Sequence, residues 1–267
     1  MSTPAATALF AELPEVHPNS FAQWRALTGR IVYTMATKGE LIVAVLFPLV
    51  ITVAFYLPLR YVMQVQGIDY AQYVMPIIVL QTMAMTMMSN AQLAAFEALT
   101  GLSTRLQTMP IGALVPLMSR ICAGMVRSTV SLAATIGYGF MIGFRFTGGL
   151  PQALAFCGFA LAVGVVLTLG ADALGSLTKN PEALSQALTL PILIFGMLST
   201  GFVPEAAFPS WARAFARNQP ISQFAQTLSD MAAGQLSWAG SWVSLVWIGG
   251  AAVLFLPLAV WASVRRS

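Results

Sequence analysis

The sequence predicts an all-α integral membrane protein with six transmembrane helices, and three observations carry that prediction. First, 58% of its 267 residues are hydrophobic and only 8% are charged, against roughly 25% charged in soluble domains. An ionised side chain at the centre of a bilayer costs ~2.5–3.5 kcal/mol, which accounts for the deficit. The mean hydropathy of +0.78 agrees. Second, the apolar residues fall into runs close to the ~20 residues a helix needs to cross ~30 Å of hydrocarbon. Third, these runs lack the two-residue alternation of barrel strands. Backbone polar groups cannot go unpaired in lipid, so helices remain. The length fits six such spans with short connections and leaves no room for a separate soluble domain of ~100 residues.

Taken in order, residues 1–19 hold Glu12, Glu15 and His17. They lack the basic, apolar and small-residue zones of a cleaved signal peptide and predict a loose cytoplasmic tail. Residues 20–267 form the transmembrane domain. Ser20 and Gln23 fit a capping box, and Phe21, Trp24, Ile31 and Met35 then share one face of a helix over Ser20–Thr37. That pattern suits a helix lying in the membrane interface, the alternative being the first turns of a long first span. The six spans are expected at Leu41–Leu59, Tyr73–Leu93, Val115–Met141, Gln152–Leu174, Ala183–Val203 and Trp238–Val260.

Two connections carry more pattern than a plain loop. Between the second and third spans, Ala94–Leu114 is too polar to cross. Leu99, Leu102 and Leu106 recur in it at helical spacing beside Glu97 and Arg105. A short amphipathic helix there would offer a partner an apolar ridge and a charged flank; a solvated loop on the lipid surface is the alternative. Before the sixth span, Pro204–Gly234 holds Pro209, Trp211 and Phe215, a break at Asn218-Gln219, and then Pro220 in the favoured first position of a second helix. Ile221, Phe224 and Leu228 give that helix one apolar side. Both pieces are too short to span and are expected to dip into the outer leaflet or cap the bundle.

Orientation follows the basic residues. Arg25, Arg30, Lys38, Arg105, Arg120, Lys179, Arg265 and Arg266 fall on the side of the N-terminus, and Arg60, Arg145, Arg213 and Arg217 on the other. Both termini are therefore expected in the cytoplasm, with the chain in the cytoplasmic (inner) membrane.

Several chemistries find no support. The sequence contains no phosphate-binding G-x-x-x-x-G-K-[ST] motif. His17 is its one histidine, too few for a metal site or a Ser-His-acid set. Cys122 and Cys157 sit in apolar runs without CxxC spacing and read as small hydrophobes. The chain is thus not expected to be an enzyme by itself, to bind a cofactor or metal, or to engage nucleic acid. Inside the spans, Arg127 and Asp172 lie at matching depth in the third and fourth helices. An ion pair between them is expected, with Arg120 as the other candidate partner for Asp172. On the second span, Gln81, Met85, Met88 and Gln92 share a face. They suit either helix packing or a passage for varied apolar substrates. Gly196, Gly201 and Pro191 allow close approach and a kink in the fifth.

The stretch Thr178–Phe224, TKNPEALSQALTLPILIFGMLSTGFVPEAAFPSWARAFARNQPISQF, carries a family likeness. Its Lys179-Asn180-Pro181 turn, its run Leu190–Gly196 and its Arg217–Phe224 segment resemble the ABC-2 permeases of the daunorubicin-resistance type. The stretch resembles in particular the mycobacterial members that export phthiocerol dimycocerosate. The likeness runs from Trp24 to the sixth span. It implies a type V exporter-like transmembrane domain, with an interfacial N-terminal helix and an outer re-entrant hairpin. It also implies that Glu97, Leu99, Gly101, Leu102, Arg105, Leu106 and Pro110 belong to a coupling helix seated in a groove of a separate cytoplasmic ATPase. Phe96 and Ala98 stand where many members have Arg, which leaves Glu97, Arg105 and the apolar ridge to dock. The implied partners are an ABC ATPase dimer, which would hold the ATP and Mg, and a second ABC-2 permease, different or identical. The implied cargo is a cell-envelope lipid such as phthiocerol dimycocerosate or an anthracycline-like drug, exported from the cell. An ATP-independent carrier is the alternative, but it requires inverted repeats and a coupling-ion site.

Overall fold

The structure is a computed structural model and describes residues 19–65, 67, 69–101, 111–112, 114–178, 180–202 and 208–264. Apart from Asn19, the expected tail lies outside them. The described residues form nine helices: α1 (Ser20–Thr37), α2 (Glu40–Val65), α3 (Tyr70–Leu99), α4 (Val115–Ile142), α5 (Gly149–Leu177), α6 (Pro181–Met197), α7 (Ser210–Asn218), α8 (Pro220–Ala233) and α9 (Trp238–Val264). Five of them, α2 to α5 and α9, are long and apolar enough to cross a bilayer; α6, at 17 residues, is shorter.

These six apolar helices alternate in direction, which gives the bundle two ends. Glu97 on α3 meets Arg120 on α4 at the end that carries α1. At the opposite end Thr147 donates its N–H to the Ala232 carbonyl. α1 is a helix of its own, separated from α2 by a turn at Lys38–Gly39 in which Gly39 adopts φ +76°. Its cap is Asn19, one residue earlier than the expected Ser20: the Asn19 side chain accepts from the Phe21 N–H at 3.3 Å. Met35 is buried on its bundle side with Trp24 and Ile31 half-buried, whereas Phe21 is exposed.

α3 is the central element. Val74, Met75, Ile78, Val79 and Met83 are fully buried, packed with Phe144, Phe156 and Leu228 in the main core. The helix begins earlier than expected, because Asp69 caps the N–H groups of Ala71 and Gln72. It also continues past Leu93 to Leu99, so the start of the connection expected at Ala94–Leu114 is the last part of this span. Ala91, Ala95 and Ala171 form a second buried cluster there with Leu184. A Cβ at Gly175 would collide with the Ala91 carbonyl, so α3 and α5 meet almost backbone to backbone. That small-residue contact is how helices associate where lipid supplies no hydrophobic drive.

α6 ends at Met197, short of the expected Val203, and the chain then turns through Leu198–Phe202. The start of α8 satisfies the groups this exposes. Gln219 Nε2 donates to the Phe195 carbonyl at 3.1 Å, and the Thr200 N–H donates to Ser222 Oγ at 3.1 Å. Tyr73 hydroxyl donates to the Thr200 carbonyl. In hydrocarbon such groups must find protein partners, so the polar residues of α8 set the length of α6.

The α3–α5 contact predicts a sharp contrast between two glycines. Gly175→Leu should lower stability by about 1–3 kcal/mol through overpacking. Gly249→Ala, where an added Cβ meets nothing within 4 Å, should be neutral. Thermal unfolding of the purified chain in detergent checks both.

Candidate functional site

Close to the α1 end, three helices converge on one guanidinium. Arg120 on α4 donates from Nε to Asp172 Oδ1 at 2.5 Å and from Nη2 to Asp172 Oδ2 at 3.0 Å. Its remaining nitrogen, Nη1, donates to Glu97 Oε2 at 3.0 Å. Arg120 and Asp172 are buried, and Glu97 is nearly so. The fork to Asp172 is bidentate, the strongest geometry open to an Arg–carboxylate pair. One cation thus binds α3, α4 and α5 together. Two carboxylates against one guanidinium leave a net negative charge. Arg30 and Lys38 border the cleft of about 150 Å³ that reaches Arg120 and Glu97 from between α1, α3 and α4.

The expected Arg127–Asp172 pair does not form. Asp172 is taken by Arg120, the alternative partner, and Arg127 Nη1 lies 3.1 Å from Glu40 Oε2. Depth decides this. Arg120 and Asp172 each lie five residues inside the helix ends at Val115 and Leu177, or ~7.5 Å at ~1.5 Å per residue. Arg127 lies about two turns deeper in α4, and its long side chain reaches the first residue of α2. Glu40 was absent from the expected partners; as the one carboxylate at the start of the first span, it was visible in the sequence.

Glu97 does not face outward as a docking group. Its carboxylate turns into the bundle, while Phe96 and Leu99 beside it are 54% and 57% exposed. The helix closes as Thr100 donates its N–H and its hydroxyl to the Phe96 carbonyl, and Gly101 follows at φ +67°. Leu102, Arg105, Leu106 and Pro110 lie outside the described residues.

Gln81, Met85, Met88 and Gln92 do share a face of α3, and it is the least buried face of that helix. Met85, Met88 and Gln92 line a narrow cleft of about 90 Å³ with Phe47 of α2 and Arg127 of α4. Gln81 instead faces α6 at Gly196. Gln92 Nε2 donates to Ser185 Oγ on α6 at 2.6 Å. At the opposite end, Pro209 precedes α7, on which Ala212 and Ala216 are buried and Trp211 is 81% exposed. Pro220 opens α8, and Phe224 packs edge-on against Phe159 with ring centres 6.0 Å apart. Cys122 and Cys157 are half-buried free thiols.

Removing one member of the node should cost more than removing all of it. Arg120→Met leaves two carboxylates uncompensated and should destabilise the chain by about 3–5 kcal/mol, with most of the loss recovered in Arg120→Met/Asp172→Leu/Glu97→Gln. Arg127→Met should cost less, because Glu40 is partly open to solvent. Melting midpoints in detergent report the order; equal losses for the single and triple variants would contradict it.

Residues 56–261 match the family described as ABC-2 family transporter protein. Over 93% of its length the chain is 34% identical to the doxorubicin resistance ABC transporter permease protein DrrB of Mycobacterium tuberculosis (strain ATCC 25618 / H37Rv), covering 93% of that protein. The probable doxorubicin resistance ABC transporter permease protein DrrC of the same strain is 30% identical over 60% of this chain and 58% of its own length. The daunorubicin resistance ABC transporter permease protein DrrB1 of Streptomyces coeruleorubidus is 26% identical over 88% of this chain and 82% of its own.

Proposed function

The chain belongs to the ABC-2 family of transporter proteins, and on that premise we propose that it is the permease half of an ATP-driven exporter. It works with a second permease and two copies of a separate cytoplasmic ATPase, which bind ATP and Mg. Its cargo is a lipid or amphipathic drug. The doxorubicin and daunorubicin resistance for which its relatives are named supports the drug side of that class.

The observation that carries the reading is the placement of Glu97. It sits in the last turn of α3, four residues before Gly101, and it is tied through Arg120 to Asp172. A push on the following segment therefore moves three packed helices together instead of fraying one helix end. Exposed Phe96 and Leu99 give the ATPase an apolar surface beside that lever. Arg25, Arg30 and Lys38 at the same end support its facing the cytoplasm. The Gln81–Gln92 face of α3 supports a second permease. Gln92 on that face is exposed, and a second bundle or a shared aqueous passage would cover it.

Co-expression with an ATPase subunit tests the proposal. The two should co-purify from the membrane, and the reconstituted complex should hydrolyse ATP faster in the presence of a lipid or anthracycline cargo. Glu97→Ala/Arg105→Ala should assemble and lose that stimulation. Transport by the chain alone, with no nucleotide-binding partner, contradicts the proposal.

A further inference from the structure

On the side of the bundle away from the Arg120 node lies an apolar cavity of about 370 Å³, within the ~300–1,000 Å³ typical of small-molecule sites. α6 causes it. This helix is tied to the bundle near its two ends, by Leu184 and Ser185 against α3 at one and by the Gln219 bond to the Phe195 carbonyl at the other. Between these ties Pro191, Ile192 and Phe195 stand off from Val163 and Leu167 of α5. Among the described residues α6 barely touches α5 and has no substantial contact with α9. The gap between α6 and α9 therefore opens sideways, and Trp247, which lines it, is 45% exposed. Phe255 closes the cavity toward the α1 end, where Gly170 lets its ring approach α5. Phe224 of α8 closes the other.

No charged side chain lines the space, and Gln81 and Trp247 supply its polar groups. A water needs two to four polar partners, so this wall does not favour filling by water. A cationic drug amine would find no counter-charge at this depth. A flexible uncharged chain needs neither.

We propose that this cavity is a lateral binding site for one hydrocarbon chain of the cargo, entered from the bilayer between α6 and α9. The site thus takes a lipid-like molecule by its tail and not an anthracycline by its amine. The word cargo rests on the exporter reading; the binding site does not.

The test uses the whole permease–ATPase complex in nanodiscs that contain a trace of a phospholipid bearing a diazirine on one acyl chain. After illumination, adducts are mapped by peptide mass spectrometry. Adducts on Val163, Leu167 and Phe224, competed by palmityl palmitate and not by doxorubicin, are expected. Leu167→Trp, and independently Ala251→Phe, should fill the space and lose most of these adducts. Val253→Trp, at a position 76% exposed on α9, should keep them. Labelling spread over outward residues and indifferent to the filling variants means an ordinary bilayer lipid only and overturns the site. Competition by doxorubicin as strong as by palmityl palmitate overturns the assigned class. ATP-driven export that persists without adducts sinks the site and leaves the exporter reading standing. Cavity adducts in a complex whose ATPase ignores the lipid remove the cargo role alone.

Discussion

The fold depends on how one buried guanidinium is neutralised. Arg120 would be among the most costly groups in the bundle if it stood alone, and Asp172 likewise. Joined by two hydrogen bonds, with Glu97 on the third nitrogen, they become a cross-link between α3, α4 and α5. That cross-link sets what its neighbours can be. The last turns of α3 keep a glutamate within a membrane helix. The same turns lie so near α5 that glycine is required at position 175. Ala91, Ala95 and Ala171 complete a contact too thin for larger side chains. Polar cross-link and small-residue seam occur at one level, and each fixes the register of the other.

The far end of the bundle answers the same constraint by other means. There the apolar helix α6 stops before a full crossing, and its final carbonyls would face hydrocarbon. Gln219 donates to the Phe195 carbonyl, and in the turn that follows Ser222 accepts from the Thr200 N–H while Tyr73 donates to the Thr200 carbonyl. Ser199 and Ser222 hydroxyls join the same network at 3.2 Å. The result is a helix pinned near its two ends over the groove that forms the cavity. One end of the molecule is thus tied by charge and the other by neutral hydrogen bonds. The charged end is the one that leads into the segment proposed to receive the ATPase.

Much of this could be read from the residues. The long apolar runs locate the five long helices because bilayer thickness imposes its own length scale. Pro220 announces α8 by its lack of an N–H; Pro181 opens α6 likewise, with the Asn180 side chain accepting from the Glu182 and Ala183 N–H groups. Helix ends that depend on tertiary partners were not legible. Leu93 looked like the end of a span because Glu97 follows it, and only the position of Arg120 keeps that glutamate in the helix. The fifth span looked longer than it is, since nothing local in Leu198–Phe202 says that α8 will supply its caps. The choice between Arg120 and Arg127 for Asp172 turned on depth, which follows from helix ends; a few residues of error there change the pairing. Glu40 is visible in the sequence as a carboxylate, but its pairing with Arg127 depends on how α2 packs against α4, which sequence spacing does not show.

On the proposed function, the α3 end next to the Arg120 node is the surface through which a separate ATPase drives this bundle. Site-specific photo-crosslinking at Leu99, which is exposed and adjacent to the node, tests it most directly. In cells expressing the permease with its ATPase, a benzophenone side chain placed at position 99 should yield an adduct with the nucleotide-binding subunit whose intensity changes when ATP is bound. Reaction at that position from the external face of the membrane, or active export with no ATPase adduct there, would contradict the account.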